Sequence, residues 1–275
     1  MASVLGGSYQ EIRPGRTLHV AVLEKRAQTS LFFLHGSGGN KGQFRFLWDA
    51  LCDAELNLIA WDAPGHGASP DLHDPAAYAG TALLADAQEL IARHGAARNI
   101  LVAHSLGTRI ALGALAAAPE HFSAAVLLGP PPPQMAPAGK GALFGPVLGR
   151  LPLPVLELLK PLLARRFKRL AWGKGADPAL VAHEQRVARR NTLFVMQSLF
   201  AGLLVLEPEQ FSAIRANVSI LAGAEDALTP PAAAKALAAL LPAANLTILP
   251  GTGHQIMLEQ PEQTLAAIRA ALAGD

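Results

Sequence analysis

One cysteine, Cys52, is all that the 275 residues contain, so no intrachain disulfide can form and no zinc site of paired cysteines is available. Charge is sparse too. Asp, Glu, Lys and Arg make up 16% of the chain and balance to a formal +2. An excess this small, spread along the sequence, argues against nucleic acid as a partner. The first thirty residues carry Glu11 and scattered polar groups where a secretory signal would need a basic start and an apolar run. The longest apolar stretches are broken by proline or charge before they reach bilayer length, so no stable membrane insertion is expected and the default location is the cytoplasm. No internal repeat is visible. Low charge does not mean disorder, because apolar residues reach 51%. A chain of this length fits one large α/β domain that buries its own core.

The order of apolar runs sets the fold class. Tyr9 to Arg13 and Thr17 to Leu23 flank a Pro14-Gly15 turn and read as an opening hairpin. Short continuous runs follow at Leu31 to Leu34, Leu56 to Trp61, Asn99 to Ala103 and Ala124 to Leu128, as strands buried on both faces require. Helical segments lie between them at Gln43 to Asp53, Ala79 to His94 and Leu106 to Ala118, the last stopped by Pro119. Such alternation predicts a doubly wound, mostly parallel sheet with right-handed crossovers. After Gly129 the pattern changes to a Leu-rich, proline-broken stretch reaching about Phe211. Strands then resume at Val218 to Ala222 and Leu246 to Leu249, with helices near Ala232 to Leu241 and Pro261 to Ala273. The expectation is a core of residues 1–129 and 211–275, with about eight strands, and a helical insertion over 130–210.

Three places along this pattern carry chemistry. A buried strand runs through Val102-Ala103-His104 into Ser105, and a helix begins at once. That is the context of a nucleophile elbow, where a strained turn lifts the hydroxyl clear of the sheet and small residues two positions either side let strand and helix cross. Gly107 meets that need, whereas Ala103 stands where glycine is usual. The strand ending at Leu34 leads into His35-Gly36-Ser37-Gly38-Gly39, whose glycines free backbone N–H groups to point at one spot. The N–H groups of Ser37 and Leu106 are the expected oxyanion donors, with Gly38 as the near alternative. A dinucleotide-binding loop competes here, because Asp62 ends the next strand, but Lys41 replaces the third glycine. Asp226, with Glu225 beside it, follows a strand at the carboxyl edge of the sheet. His254 follows the last strand at the same edge. Of nine histidines only His254 combines this placement with the chain order Ser, Asp, His. Asp62 and His66, in the loop Asp62 to Ser69, are expected to brace that loop.

These motifs, His35-Gly36, Asp62 to Ser69, His104-Ser105-Leu106-Gly107 and the Asp226/His254 pair, resemble the α/β-hydrolase superfamily over nearly the whole chain. The resemblance implies an α/β-hydrolase fold with a helical cap inserted after its sixth strand. Because the elbow carries serine, it points to the branch of esterases, lipases, thioesterases and carbon-carbon hydrolases. Ser105 is then the nucleophile, His254 its base and Asp226 the residue that orients the base, with no cofactor and no metal required.

The expected activity is cleavage of a small-molecule carboxylic ester or thioester through an acyl-enzyme, by a monomer or homodimer. The cap's Leu143, Phe144, Val147, Leu148, Leu151, Leu156, Leu158 and Leu159 suit an apolar acyl or alcohol group, though packing the cap onto the core needs such residues as much. Gly36, Gly38, Arg109, Phe144 and Leu148 are the candidate substrate-binding residues. Arg109 is either a surface cation or, as in the menaquinone-pathway synthase of this superfamily, a ligand for a substrate carboxylate. The second case makes the alternative a lyase or carbon-carbon hydrolase on an acidic substrate. A non-catalytic binding protein on the same fold is the rival of a different class. The basic run Arg165, Arg166, Lys168 and Arg169 reads as a solvated helix face, with membrane contact as the minority reading.

Overall fold

The computed structural model describes residues 5–133 and 151–274. Its eight-stranded sheet comprises β1 (Ser8–Arg13), β2 (Arg16–Leu23), β3 (Thr29–Leu34), β4 (Asn57–Trp61), β5 (Arg98–His104), β6 (Ala124–Leu128), β7 (Asn217–Gly223) and β8 (Ala244–Leu249). Strand order is β1-β2-β4-β3-β5-β6-β7-β8. β1 pairs with β2 and β2 with β4 antiparallel, and every later pairing is parallel. Each expected strand is present within two residues of its expected bounds.

Period-two alternation feeds two cores, one on each face of the sheet. Phe32, Leu34, Leu101, Ala103, Leu127 and Ile220 point into the first. Leu31, Phe33, Ile100, Val102, Val126 and Leu221 point into the second. Burial on both faces is why these strands read as unbroken apolar runs. Helices α1 (Arg45–Leu51), α2 (Gly80–His94) and α3 (Leu106–Ala117) fill the crossovers of the first half. The single helix expected from Gln43 to Asp53 is split, with a 3-10 turn at Lys41–Phe44 before α1. Among the described residues, four helices lie between β6 and β7: α4 (Leu153–Ala171), α5 (Pro178–Ala188), α6 (Leu193–Ala201) and α7 (Pro208–Ser212). After them come α8 (Pro231–Ala238), α9 (Ile256–Glu259) and α10 (Pro261–Ala273).

The parallel strands share one carboxyl edge, and the loops leaving β3, β5, β6, β7 and β8 meet there. The sharpest of these is the junction of β5 with α3. Ser105 takes φ 50° and ψ −118°, a conformation that costs a non-glycine residue roughly 1–3 kcal/mol. Close crossing makes the turn possible. A Cβ at Gly107 would lie 2.5 Å from the Leu34 carbonyl oxygen and 2.8 Å from that of His35, both rigid backbone. Ala103, the departure from the usual glycine, is fully buried in the first core, and the sheet accommodates its methyl group. Gly107→Ala is therefore expected to lower unfolding free energy by at least about 2 kcal/mol in urea titration, whereas Ala103→Gly changes it by about 1 kcal/mol.

Candidate active site

Asp226 follows β7 and His254 follows β8, and their side chains meet at the sheet edge. His254 Nδ1 lies 2.7 Å from Asp226 Oδ2. The carboxylate is almost fully buried and satisfied by four donors. Its Oδ1 accepts the N–H groups of Leu228 and Thr229, each at 2.9 Å, and its Oδ2 accepts His254 Nδ1–H and the Thr229 hydroxyl at 2.7 Å. Burial by itself raises the carboxyl's pKa. The His254 charge and the hydrogen bonds from His254 and Thr229 outweigh it, so Asp226 is held below the usual carboxylate range. With Nδ1 spent on Asp226, the unprotonated lone pair of neutral His254 is on Nε2. Glu225, the neighbouring candidate acid, instead accepts the N–H of Lys174 at 2.7 Å.

The loop carrying His254 is also held by residues other than Asp226. Glu259 accepts the N–H groups of Gly253 and Gln255, either side of the histidine, and that of Gly173. The N–H of His254 itself donates to the Ala171 carbonyl at 2.9 Å. Under the ring lies His104, whose centroid is 4.7 Å from that of His254. His104 donates its Nε2–H to the His254 carbonyl at 3.0 Å, and burial, then the neighbouring His254, push its pKa down to about 3. It is a neutral spacer. Its Nδ1 is buried and finds no partner among the described residues.

Across the elbow, a Cβ added at Gly36 would lie 2.8 Å from Ser105 Cβ and 2.9 Å from His104 Nδ1, so glycine is what lets this loop reach the serine. The loop is pinned by two buried histidines. His35 Nε2 accepts from the Ala63 N–H at 2.9 Å, which leaves Nδ1–H to donate to the Gly36 carbonyl at 2.7 Å. His66 Nδ1–H donates to the Pro64 carbonyl, and its Nε2 accepts the Gly38 N–H at 3.2 Å. Burial, with His35 beside it, pushes His66 down to about 3, so it stays an acceptor. The Gly38 N–H is thereby committed, which removes it as the alternative oxyanion donor. The N–H groups of Ser37 and Leu106 have no protein acceptor among the described residues.

Asp62 braces the neighbouring loop. Its carboxylate accepts Lys41 Nζ at 2.7 Å and the N–H groups of Lys41 and Ala68, each at 2.9 Å. The Lys41–Asp62 pair is buried, so the acid that a dinucleotide ribose would need is already neutralised by the residue standing in the third glycine's place.

Ser37, Gly38, Ser105, Leu106, Arg109 and His254 line one cavity of about 1170 Å³. Its apolar wall differs from expectation. Leu156 is buried in packing, Leu158 is 82% exposed, and neither they nor Leu151 and Leu159 line the cavity. Leu143, Phe144, Val147 and Leu148 lie outside the described residues. The lining comes instead from Leu163, Phe167 and Trp172, on and just after α4, and from Leu193, Met196, Phe200 and Leu203, on and just after α6. The spacing of the last four, by three, four and three, is a helical stripe that the sequence does display. Arg109 is no surface cation, being 4% exposed. It donates to the carbonyls of Leu204 at 2.9 Å and Pro132 at 2.5 Å, and has no carboxylate partner among the described residues. Thr229 and Glu259 were not anticipated. Thr229, three positions beyond Asp226, fits a local side-chain-to-backbone turn, but nothing in the sequence marks Glu259.

A model of the Alpha/beta hydrolase family matches residues 31–268. Mouse Protein ABHD8 is 25% identical over 259 residues, covering 91% of this chain but only 58% of its own length. The chain thus spans just over half of that relative. The pimeloyl-[acyl-carrier protein] methyl ester esterase of Nitrosomonas europaea is 28% identical over 250 residues, 87% of this chain and 94% of its own. Among solved structures, an esterase from Exiguobacterium antarcticum superposes with a TM-score of 0.83 at 18% identity, covering 98% of this chain and 100% of that one, a likeness of fold. With a family match that runs from β3 into α10 and an eight-stranded sheet of the same build, this chain belongs to the Alpha/beta hydrolase family.

Proposed function

We propose that the protein is a serine hydrolase that cleaves a carboxylic ester or thioester through an acyl-enzyme. The observation that carries this reading is the buried Asp226–His254 hydrogen bond at one wall of a cavity that Ser105 enters from a strained turn. In the cycle, His254 Nε2 takes the Ser105 proton as Oγ attacks the carbonyl carbon, and Asp226 holds the imidazole in the tautomer that can do so. Negative charge then develops on the carbonyl oxygen. The uncommitted N–H groups of Ser37 and Leu106 would stabilise it, as fixed donors outside bulk water. The imidazolium returns its proton to the leaving oxygen or sulfur, and the same base activates water to release the acid.

The helices between β6 and β7 act in this reading as a cap over the site. Leu193, Met196, Phe200 and Leu203 give the cavity an apolar side suited to an acyl or alcohol chain, within the size range of small-molecule pockets or somewhat above it. One observation favours the second reading, a lyase or carbon-carbon hydrolase acting on an acidic substrate: Arg109 lines the same cavity without a carboxylate partner among the described residues. Yet its guanidinium ties Pro132, just after β6, and Leu204, between α6 and α7, to α3. That use favours a structural tether.

Labelling with a fluorophosphonate probe is expected for the intact protein and absent in Ser105→Ala, which should also lose hydrolysis of a panel of esters and thioesters. A labelled Ser105→Ala protein, or no labelling of either, rejects the proposal. Asp226→Asn should lower kcat on the order of 10⁴-fold with little change in KM, because the amide favours the wrong imidazole tautomer. Arg109→Ala should reduce thermal stability, the two stranded carbonyls costing about 1–3 kcal/mol, and should lower turnover of neutral and carboxylate-bearing esters alike. A rise in KM confined to the acidic substrates transfers the preference to the second reading.

A further inference from the structure

Helix α4 has two distinct long faces. Lys160, Pro161, Leu163, Ala164 and Phe167 line the cavity, the exposed Arg165 and Lys168 stand at its rim, and Leu156, buried on a third side, anchors the helix. Facing away are Val155, Leu158, Leu162 and Arg169, which with Arg165 at the cavity rim are spaced by three or four residues and so aligned along one stripe. The apolar part of the stripe is unusually bare for a folded chain: Leu158 is 82% exposed, Leu162 63% and Val155 40%. These account for three of the seven large exposed hydrophobics among the described residues. Isolated exposed leucines need no explanation, but a contiguous set on one helix does.

The second half of the stripe is cationic. Between Glu157 and Asp177 the sequence has no acid and six cations, Lys160, Arg165, Arg166, Lys168, Arg169 and Lys174, in a chain whose net charge is only +2. The single ion pair of α4 among the described residues is Lys160–Glu157 at 3.8 Å, before the basic run begins. Arg165, Lys168 and Arg169 are exposed, and none of them forms an ion pair among the described residues. Bare leucines continuous with unneutralised cations match the two layers of an anionic bilayer surface: acyl chains for the first, phosphate headgroups for the second.

We propose that the outer face of α4 docks the protein peripherally on anionic lipid bilayers, with Leu158 and Leu162 at the acyl boundary and Arg165, Lys168 and Arg169 at the headgroups. No helix among the described residues is long and apolar enough to cross a membrane, and the proposal requires none. Docking in this way turns the opposite, cavity-lining face of α4 away from the membrane plane and leaves Arg165 and Lys168 at the cavity rim.

Vesicle co-sedimentation tests the proposal without reference to hydrolysis. The full chain should pellet with vesicles containing phosphatidylglycerol and remain in solution with phosphatidylcholine alone, and added salt should release it. Arg165→Glu/Arg169→Glu should weaken binding more than tenfold, at about fivefold for each cation lost. Leu158→Ser/Leu162→Ser should weaken it at least tenfold, with an unchanged melting temperature to show that the fold survives. Absence of binding to anionic vesicles, equal binding to neutral ones, or binding that survives both double substitutions overturns the proposal. So does a concentration-dependent dimer that the leucine pair abolishes in the absence of vesicle binding, which assigns the face to a second copy. Fluorophosphonate labelling of the Leu158→Ser/Leu162→Ser variant, whose residues do not line the cavity, should be unchanged, so failure of docking and failure of the hydrolase reading are read from separate measurements.

Discussion

Everything at the sheet edge depends on one reversal of the backbone at residue 105. In a single peptide unit the chain leaves a strand buried on both faces and enters a helix that is itself almost wholly buried. A positive φ at a serine is costly, and three bonds hold it there: the Ser105 N–H to the Leu128 carbonyl at 2.9 Å, and the N–H and hydroxyl of Thr108 to the Ser105 carbonyl at 2.9 and 2.6 Å. Two glycines supply the room. Gly36 clears the serine from the β3 side, and Gly107 clears the β3 carbonyls from the helix side. The same turn exposes the hydroxyl and leaves the Leu106 N–H at the head of α3, where a helix has no internal acceptor for it. Position and polarity thus come from a single strained conformation.

Around this turn the histidines divide by environment. At His35, His66 and His104 burial outweighs the pull of the nearby Asp62, Asp71 and Asp226 carboxylates, none of them hydrogen-bonded to these rings, and lowers the pKa of each. Neutral, they serve as links: His35 and His66 join two loops with one donor and one acceptor each, and His104 ties the elbow to the His254 backbone through its Nε2–H alone. His254 alone among the four has a carboxylate hydrogen-bonded to its ring, at 2.7 Å. A proton gained on the far nitrogen would be compensated there and nowhere else in the cluster. Asp226, with its four donors, provides that compensation without becoming protonated itself.

The strands and the order of the motifs were legible because burial on both faces leaves a signature in composition, and because turns at strand ends concentrate glycine. Ser105, Asp226 and His254 each follow such a run. Side-chain destinations within the inserted helices were less legible. Leu156, Leu158 and Leu203 are chemically alike, yet one is packed, one is bare and one lines the cavity, and only the rotation of each helix against the core decides which. Arg109 follows the same logic. An arginine on a helix after the elbow suggests a surface or a ligand, whereas its partners are main-chain carbonyls contributed by segments 23 and 95 residues away, which no local pattern encodes. Glu259 is invisible for the same reason, since backbone N–H groups carry no residue identity.

These long-range contacts bear on how the inserted helices and the core act together. The Gly38 carbonyl accepts from Asn191, between β6 and β7, at 2.7 Å, and a buried ion pair joins Arg45 to Glu184 of α5 at 2.7 Å. On the other side, Ala171 at the end of α4 accepts the His254 N–H, and Gly173 shares Glu259 with the residues flanking that histidine. The loop of His254 and the loop of Ser37 and Gly38 are therefore each set partly by the core and partly by the helices between β6 and β7. Lifting the inserted helices away would leave Gly38, Glu259 and the His254 N–H short of partners at the positions where geometry matters most. The ordering of the two loops beside Ser105 is for this reason tied to the seating of the helices between β6 and β7.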